Sequence, residues 1–315
     1  MVKPNILHTV EQTISKFGMI PTKDKPLVVA FSGGKDSTAT IFVLNSLGYE
    51  VRPVIIDRGD DPRFDGDYIA RKLKETKNID AEVINLRSPE YLDGICQFAA
   101  SDIAGFLAKI DSLGENESQC TPCYNARTVA LTERTIRYGS NIFVIGHHLN
   151  DMATSLLKCY WTEKYFQAFT QKEGLAYEGN RMRDFITNNY IDISYLTRMV
   201  EEERAATDDP PVEIINNQVR LIRPISEVRE SDILEYVGDY PHQSSNCSYS
   251  ETEPRPFRLL VQWDLDRRLR EGADLEKVLY NLVIKGLNED GTLKFRPRNK
   301  RDVYYPGFKP FLKKS

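Results

Sequence analysis

Ser32-Gly33-Gly34-Lys35-Asp36-Ser37 is the stretch of this chain best suited to chemistry. An apolar, β-branched run at 27–31 leads into it. A helical pattern follows, with Ala39, Ile41, Phe42, Leu44 and Leu47 as its apolar face and Gly48 as its stop. Strand, glycine turn and helix start together make an anion site. The glycines let the backbone approach a phosphate, and the helix start offers free N–H groups at the positive end of a dipole. The turn points to a nucleotide. Neither G-x-x-x-x-G-K-[ST] nor G-x-G-x-x-G is present, so the two commonest phosphate loops are excluded.

The five cysteines are the second source of chemistry. Cys120-Thr-Pro-Cys123 reads as a loop before a helical pattern at Asn125–Ile136, and Cys247 stands alone far downstream. Cys96 and Cys159 lie in apolar helical patterns and read as small buried hydrophobes. A C-x-x-C pair suits a redox site, structural zinc or part of an iron–sulfur site. Zinc wants four tetrahedral ligands, and no second C-x-x-C or neighbouring histidine pair supplies them. Three thiolates can hold a [4Fe–4S] cluster with one iron open, and Cys120, Cys123 and Cys247 match that count.

Taken in order, Ser32–Ser37, the C-x-x-C pair, Gly146-His147-His148-Leu-Asn-Asp151, Ile222-Arg223-Pro224 and a late Cys247 resemble the N-type ATP pyrophosphatases, or PP-loop proteins. Within them the order resembles the branch of tRNA 2-thiocytidine and 2-thiouridine synthetases, over roughly residues 5–265. The resemblance implies ATP held by Ser32, Gly33, Gly34, Asp36 and Ser37, with Lys35 at the variable position. It implies a [4Fe–4S] cluster on Cys120, Cys123 and Cys247, and a nucleotide flanked by Gly146, His147 and His148, with Asp57 near the adenine. Arg127 matches a basic residue beside the active site, and Asp151 an acidic one taken as catalytic or magnesium-associated. Lys35 and Arg127 are then the cations facing the leaving pyrophosphate.

The implied reaction adenylates a substrate carbonyl oxygen, a tRNA pyrimidine C2 oxygen in this branch, with release of pyrophosphate. Sulfur then replaces the activated oxygen, supplied as sulfide or by a persulfide carrier. Homodimers occur in the branch. Two other readings suit the same motifs: a PP-loop sulfur-transfer or reductase-like enzyme acting on a small molecule or free nucleobase, and a nucleotide-binding protein without turnover. The Gly146-His147-His148 turn argues against the reductase, and the cysteines against the absence of turnover. One departure is local: the late cysteine stands as Cys247-Ser-Tyr-Ser250, where the 2-thiocytidine enzymes carry a second C-x-x-C.

His147 and His148 also suit shaping of their turn, and Asp151 also suits capping of a helix at 152–160.

The elements that must position these residues follow from the patterning. Strands are expected at 27–31, 51–57, 81–86, 142–146 and 218–223, with helices between most of them. That alternation predicts an α/β fold with a doubly wound parallel sheet, of the adenine nucleotide alpha hydrolase type given the resemblance. Three predicted strand ends carry chemistry: Ser32–Ser37, Asp57 and Gly146–Asp151. A helix and link are expected at 1–24 and the nucleotide domain at 25–247, with an aromatic, charged helical insertion at about 160–217. The insertion suits a lid, a substrate wall, an interface or an added helical layer. A helix starting at Glu230 or Ser231 follows Arg223-Pro224. C-terminal helices and a basic, aromatic tail fill 248–315, a tail fit for RNA or for packing on the domain.

With 315 residues, 41% of them hydrophobic, the chain can build a sizeable core. A net charge of −4 excludes a polycation. No apolar run reaches membrane-span length and no signal pattern follows Met1, so no membrane contact and a cytoplasmic location are expected.

Overall fold

The computed structural model of the chain describes residues 5–61, 64–113, 120–151, 189–192 and 218–241. The chain divides into two compact units, one of Met1–Leu149 with Asn188–Arg255, the other of Asn150–Thr187 with Pro256–Ser315. The first carries the sheet.

Six strands form that sheet: β1 Leu27–Ala30, β2 Val51–Asp57, β3 Glu82–Asn85, β4 Ile142–Val144, β5 Asn189–Asp192 and β6 Gln218–Ile222. Their order is β3-β2-β1-β4-β6-β5. The first five named in that order run parallel, and β5 pairs antiparallel to β6. The helices are α1 Ile6–Lys16, α2 Lys35–Ser46, α3 Gly66–Lys77, α4 Pro89–Asp93, α5 Gln97–Ser112, α6 Cys120–Arg137 and α7 Glu230–Val237.

Both faces of the sheet are covered, which is why the strands read as nearly continuous apolar runs. Side chains alternate across it. Leu27 and Val29 join a core with α1, α2 and α7, while Val28 joins one with α5 and α6. Ile142 and Val144 divide from Phe143 in the same way. Each such side chain, fully buried, contributes about 1.5–3 kcal/mol. α2 is buried along Ser37–Leu44 without a break, so it is wrapped by its neighbours rather than presenting one apolar stripe. It ends as expected: Gly48 has φ +79°, its N–H donates to Asn45, and Tyr49 donates back to Leu44.

The predicted parallel sheet is present, with all five expected strands. The 160–217 segment differs from the helical reading, because Asn189–Asp192 is an edge strand. The rest of that segment, and the expected helices and tail beyond 247, lie outside the described residues.

β1 is central, and the chain leaves it first toward β2 and β3, then toward β4 and β6. The crevice beyond the carboxyl ends of β1 and β4 is therefore the topological switch point, where open α/β sheets hold ligands.

Candidate active site

The glycine turn follows β1 at that point. Gly33 has φ +76°, which a side chain would strain, and a Cβ there would stand 2.9 Å from Ile69 Cδ1 of α3. The two serine hydroxyls sit 3.2 Å apart, and Ser37 Oγ donates to the Gly34 carbonyl at 3.0 Å. The Ser32 N–H donates to Ser37 Oγ at 3.3 Å. These contacts close the turn on itself. Gly34 is the N-cap of α2 and brings no side-chain hydrogen bond to the helix start. A serine or aspartate there would take up an N–H that a phosphate needs.

Gly146, just beyond β4, supplies the second wall. A Cβ on it would stand 2.9 Å from the Asp36 carbonyl carbon and the Ser37 nitrogen. Only a glycine lets the two loops meet backbone to backbone. The next residues carry imidazoles into the same place. His148 is buried, with Nε2 3.6 Å from Asp36 Oδ1. His147 Nδ1 accepts a hydrogen bond from Arg223 Nε at 3.4 Å. Arg223 follows β6 directly and is 3% exposed. Burial pulls its guanidinium pKa down from the usual range, and the nearby Tyr124 phenol opposes this.

Lys35 Nζ donates to both Asp36 oxygens, at 2.9 and 3.0 Å, and pairs with Glu230 Oε1 at 3.0 Å. Burial works to lower the Lys35 pKa, but the hydrogen bonds and charges of Asp36 and Glu230 outweigh it and the pKa is raised. The start of α2 is thereby tied to the start of α7.

The cysteine pair differs from its expected loop. α6 begins at Cys120, so the C-x-x-C lies in the first helical turn. Pro122 is compatible with that, since a first turn needs no N–H from it. Residues three apart share a helix face, which sets positions 120 and 123 on one side of α6. Cys123 is a half-buried free thiol, Tyr124 is 55% exposed, and Arg127 is exposed one turn on. The Cys120 side chain, Cys159 and Cys247 lie outside the described residues; Cys96 is buried, as expected. Among the described residues no three Cys, His, Asp or Glu side chains converge as a metal site.

Asp57 ends β2, where its Oδ1 accepts the Gly59 N–H at 2.8 Å and shapes the following turn. Helical residues begin at Leu149, so Asp151 falls in the first turn rather than at its cap. The structure thus brings together Ser32–Ser37, Gly146–His148 and Arg223. Arg223 and Glu230 are the site residues given no role by the sequence reading. Arg223 was legible as the last residue of a predicted strand, and Glu230 as the first residue of a predicted helix.

The donors present fit two absent groups. The uncapped helix start, its two hydroxyls and the glycine cradle suit the phosphates of ATP. The thiol of Cys123, with Cys120 one turn before it at the positive end of α6, suits sulfur ligation of iron.

No protein-family model matches the chain. Two curated relatives align with about half of it. The tRNA-5-methyluridine(54) 2-sulfurtransferase of Thermotoga maritima is 29% identical over 169 residues, 51% of this chain and 50% of that protein. The tRNA-cytidine(32) 2-sulfurtransferase of Geobacter sulfurreducens is 28% identical over 158 residues, 48% of this chain and 54% of that protein. This chain resembles the tRNA 2-sulfurtransferases. The chain spans about half the length of these relatives. Among solved structures, its fold matches the U34-tRNA thiolase NcsA from Methanococcus maripaludis with its [4Fe–4S] cluster. The TM-score is 0.55 at 17% identity, covering 89% of this chain and 76% of that one. Among the described residues no helix is long and apolar enough to cross a membrane.

Proposed function

We propose that this chain is an ATP-dependent PP-loop tRNA thiolation enzyme that replaces a pyrimidine C2 oxygen with sulfur. One observation carries the reading. The Ser32–Ser37 turn, the Gly146–His148 turn and Arg223 close on the switch point, and α6, packed on β1, β4 and β6 and leading into β4, starts at that same end of the sheet with Cys123 in its first turn. Nucleotide chemistry and a cysteine pair thus share one end of one sheet. The names of the relatives support tRNA as the substrate.

ATP phosphates lie on the Ser32–Ser37 turn, held by the backbone N–H groups of the α2 start and by the hydroxyls of Ser32 and Ser37. Magnesium, associated with Asp151, supplies charge neutralisation on the phosphates when bound. The C2 oxygen of the base attacks the α-phosphorus, a new O–P bond forms, and the bond to pyrophosphate breaks. Arg127, and Lys35 through the site's net charge, offset the charge of the departing pyrophosphate. Asp57 lies toward the adenine. His147 and His148 orient the nucleotide from the β4 side.

Cys120, Cys123 and Cys247 would hold a [4Fe–4S] cluster, which when bound supplies an iron not ligated by protein at which sulfur is presented. Sulfide-level sulfur adds to C2, the C2–O bond breaks, and AMP leaves with the oxygen. No net oxidation occurs if the donor is sulfide. The PP-loop and α6 hold ATP, base and sulfur in one geometry, an effect that reaches roughly 7–11 kcal/mol of barrier when orientation is good.

The test is the iron and acid-labile sulfide content after anaerobic reconstitution, wild type beside Cys247→Ala and Cys96→Ala. About four irons and four sulfides per chain, as a [4Fe–4S] cluster requires, lost in Cys247→Ala and kept in Cys96→Ala, is the expected result. Iron indifferent to Cys247 would overturn the three-cysteine cluster.

A further inference from the structure

Three large apolar side chains are exposed among the described residues: Tyr68, Leu234 and Tyr124, with Tyr124 the most exposed at 55%. Single exposed aromatics are ordinary on protein surfaces. The place of Tyr124 is not. It directly follows Cys123 in the first turn of α6. α6 packs beneath β1, β4 and β6, so its first turn belongs to the end of the sheet where the nucleotide is held.

A base that exchanges oxygen for sulfur must bring its reacting carbon to about 3–3.5 Å from the attacking atom. If the sulfur is handled at Cys123, the plane of the base passes beside residue 124. An exposed ring at that point is the group that can take the π-face of an unstacked base.

We propose that Tyr124 is the stacking platform that receives the pyrimidine being thiolated. This rests on the thiolation reading above and adds to it the residue that positions the base. The substrate nucleotide is flipped out of its RNA stack and lies against the Tyr124 ring. Tyr124 is a positioning residue, so its loss weakens RNA engagement and leaves ATP and iron untouched.

The experiment compares reconstituted wild type, Tyr124→Ala and Tyr124→Phe, with unmodified tRNA transcripts as substrate. Thionucleoside formation, KM for tRNA, KM for ATP and iron content are measured together. Stacking predicts that Tyr124→Ala raises KM for tRNA about tenfold or more. It predicts unchanged KM for ATP and unchanged iron, with Tyr124→Phe restoring KM to within about twofold. Tyr124→Ala behaving as wild type overturns the inference and leaves the thiolation reading standing. Loss of iron or of ATP binding in Tyr124→Ala makes the role structural and overturns it too. Failure of Tyr124→Phe to restore KM replaces stacking by a hydroxyl contact. Wild type that forms no thionucleoside from any transcript overturns the functional reading itself.

Discussion

Gly146 and Ser37 meet with no room for a side chain between them: a Cβ on Gly146 would stand 2.9 Å from the Ser37 nitrogen. The loop after β4 therefore sets the position of the helix start that is to hold phosphate. Gly146→Ala must push the two loops apart, since the atoms it meets are backbone. Overpacking of this kind costs about 1–3 kcal/mol. The expected outcome is a folded protein with a lowered melting temperature and at least tenfold weaker ATP binding by calorimetry. Unchanged ATP affinity would count against a phosphate site at the α2 start.

Much of this fold was legible because the parallel strands are buried on both faces and so are apolar throughout. β5 was not. Asn189-Tyr-Ile-Asp192 is four residues long, begins and ends polar, and pairs on one side only, so it lacks the run that marks an interior strand. The C-x-x-C spacing alone does not separate a loop from a first helical turn, and in a first turn Pro122 breaks nothing. Arg223 and Glu230 gained roles only from the fold. His147 lies 76 positions from Arg223 and Lys35 lies 195 from Glu230, and no local pattern links such pairs.

Arg223 holds His147 through its Nε, an atom lysine does not have. Its N–H donates to Nδ1, which leaves Nε2 as the protonated nitrogen of neutral His147. Arg223→Lys keeps the charge and loses that contact. The predicted effect is a fall of tenfold or so in kcat with iron content retained, read by AMP formation. A mutant as fast as wild type would remove the orientation of His147 from the mechanism.

Lys35 and Glu230 are partly exposed, so their pair contributes little to stability, about 0–1 kcal/mol. Glu230→Gln should hardly move the urea midpoint. It should still alter ATP affinity, because it removes one of two carboxylates competing with phosphate for the Lys35 ammonium. Tighter ATP binding, by severalfold, is expected in a titration of the variant. A large loss of stability with unchanged ATP affinity would make the pair structural instead.

Tyr138 gives the fold an alkaline limit. Burial, with the Glu82 carboxylate that accepts a hydrogen bond from its hydroxyl at 2.8 Å, pushes the phenol up to about 12. The unfolded phenol titrates near 10. Its contribution is thus complete below about pH 10 and is lost as pH rises toward about 12. Urea midpoints taken at pH 8, 10 and 11.5 should fall over the upper interval, and less steeply in Tyr138→Phe. Equal slopes in both proteins would place the alkaline loss elsewhere.

The most direct test of the account is the ratio of AMP released to 2-thiopyrimidine formed. It is measured on digested tRNA after anaerobic turnover with ATP, magnesium and sulfide. Adenylation of the base oxygen predicts about one AMP and one pyrophosphate per thionucleoside, with all three lost in Ser37→Ala, and with AMP and thionucleoside lost but pyrophosphate release from the first turnover kept in Cys123→Ser. Thionucleoside made without AMP, or ADP appearing in its place, would contradict it.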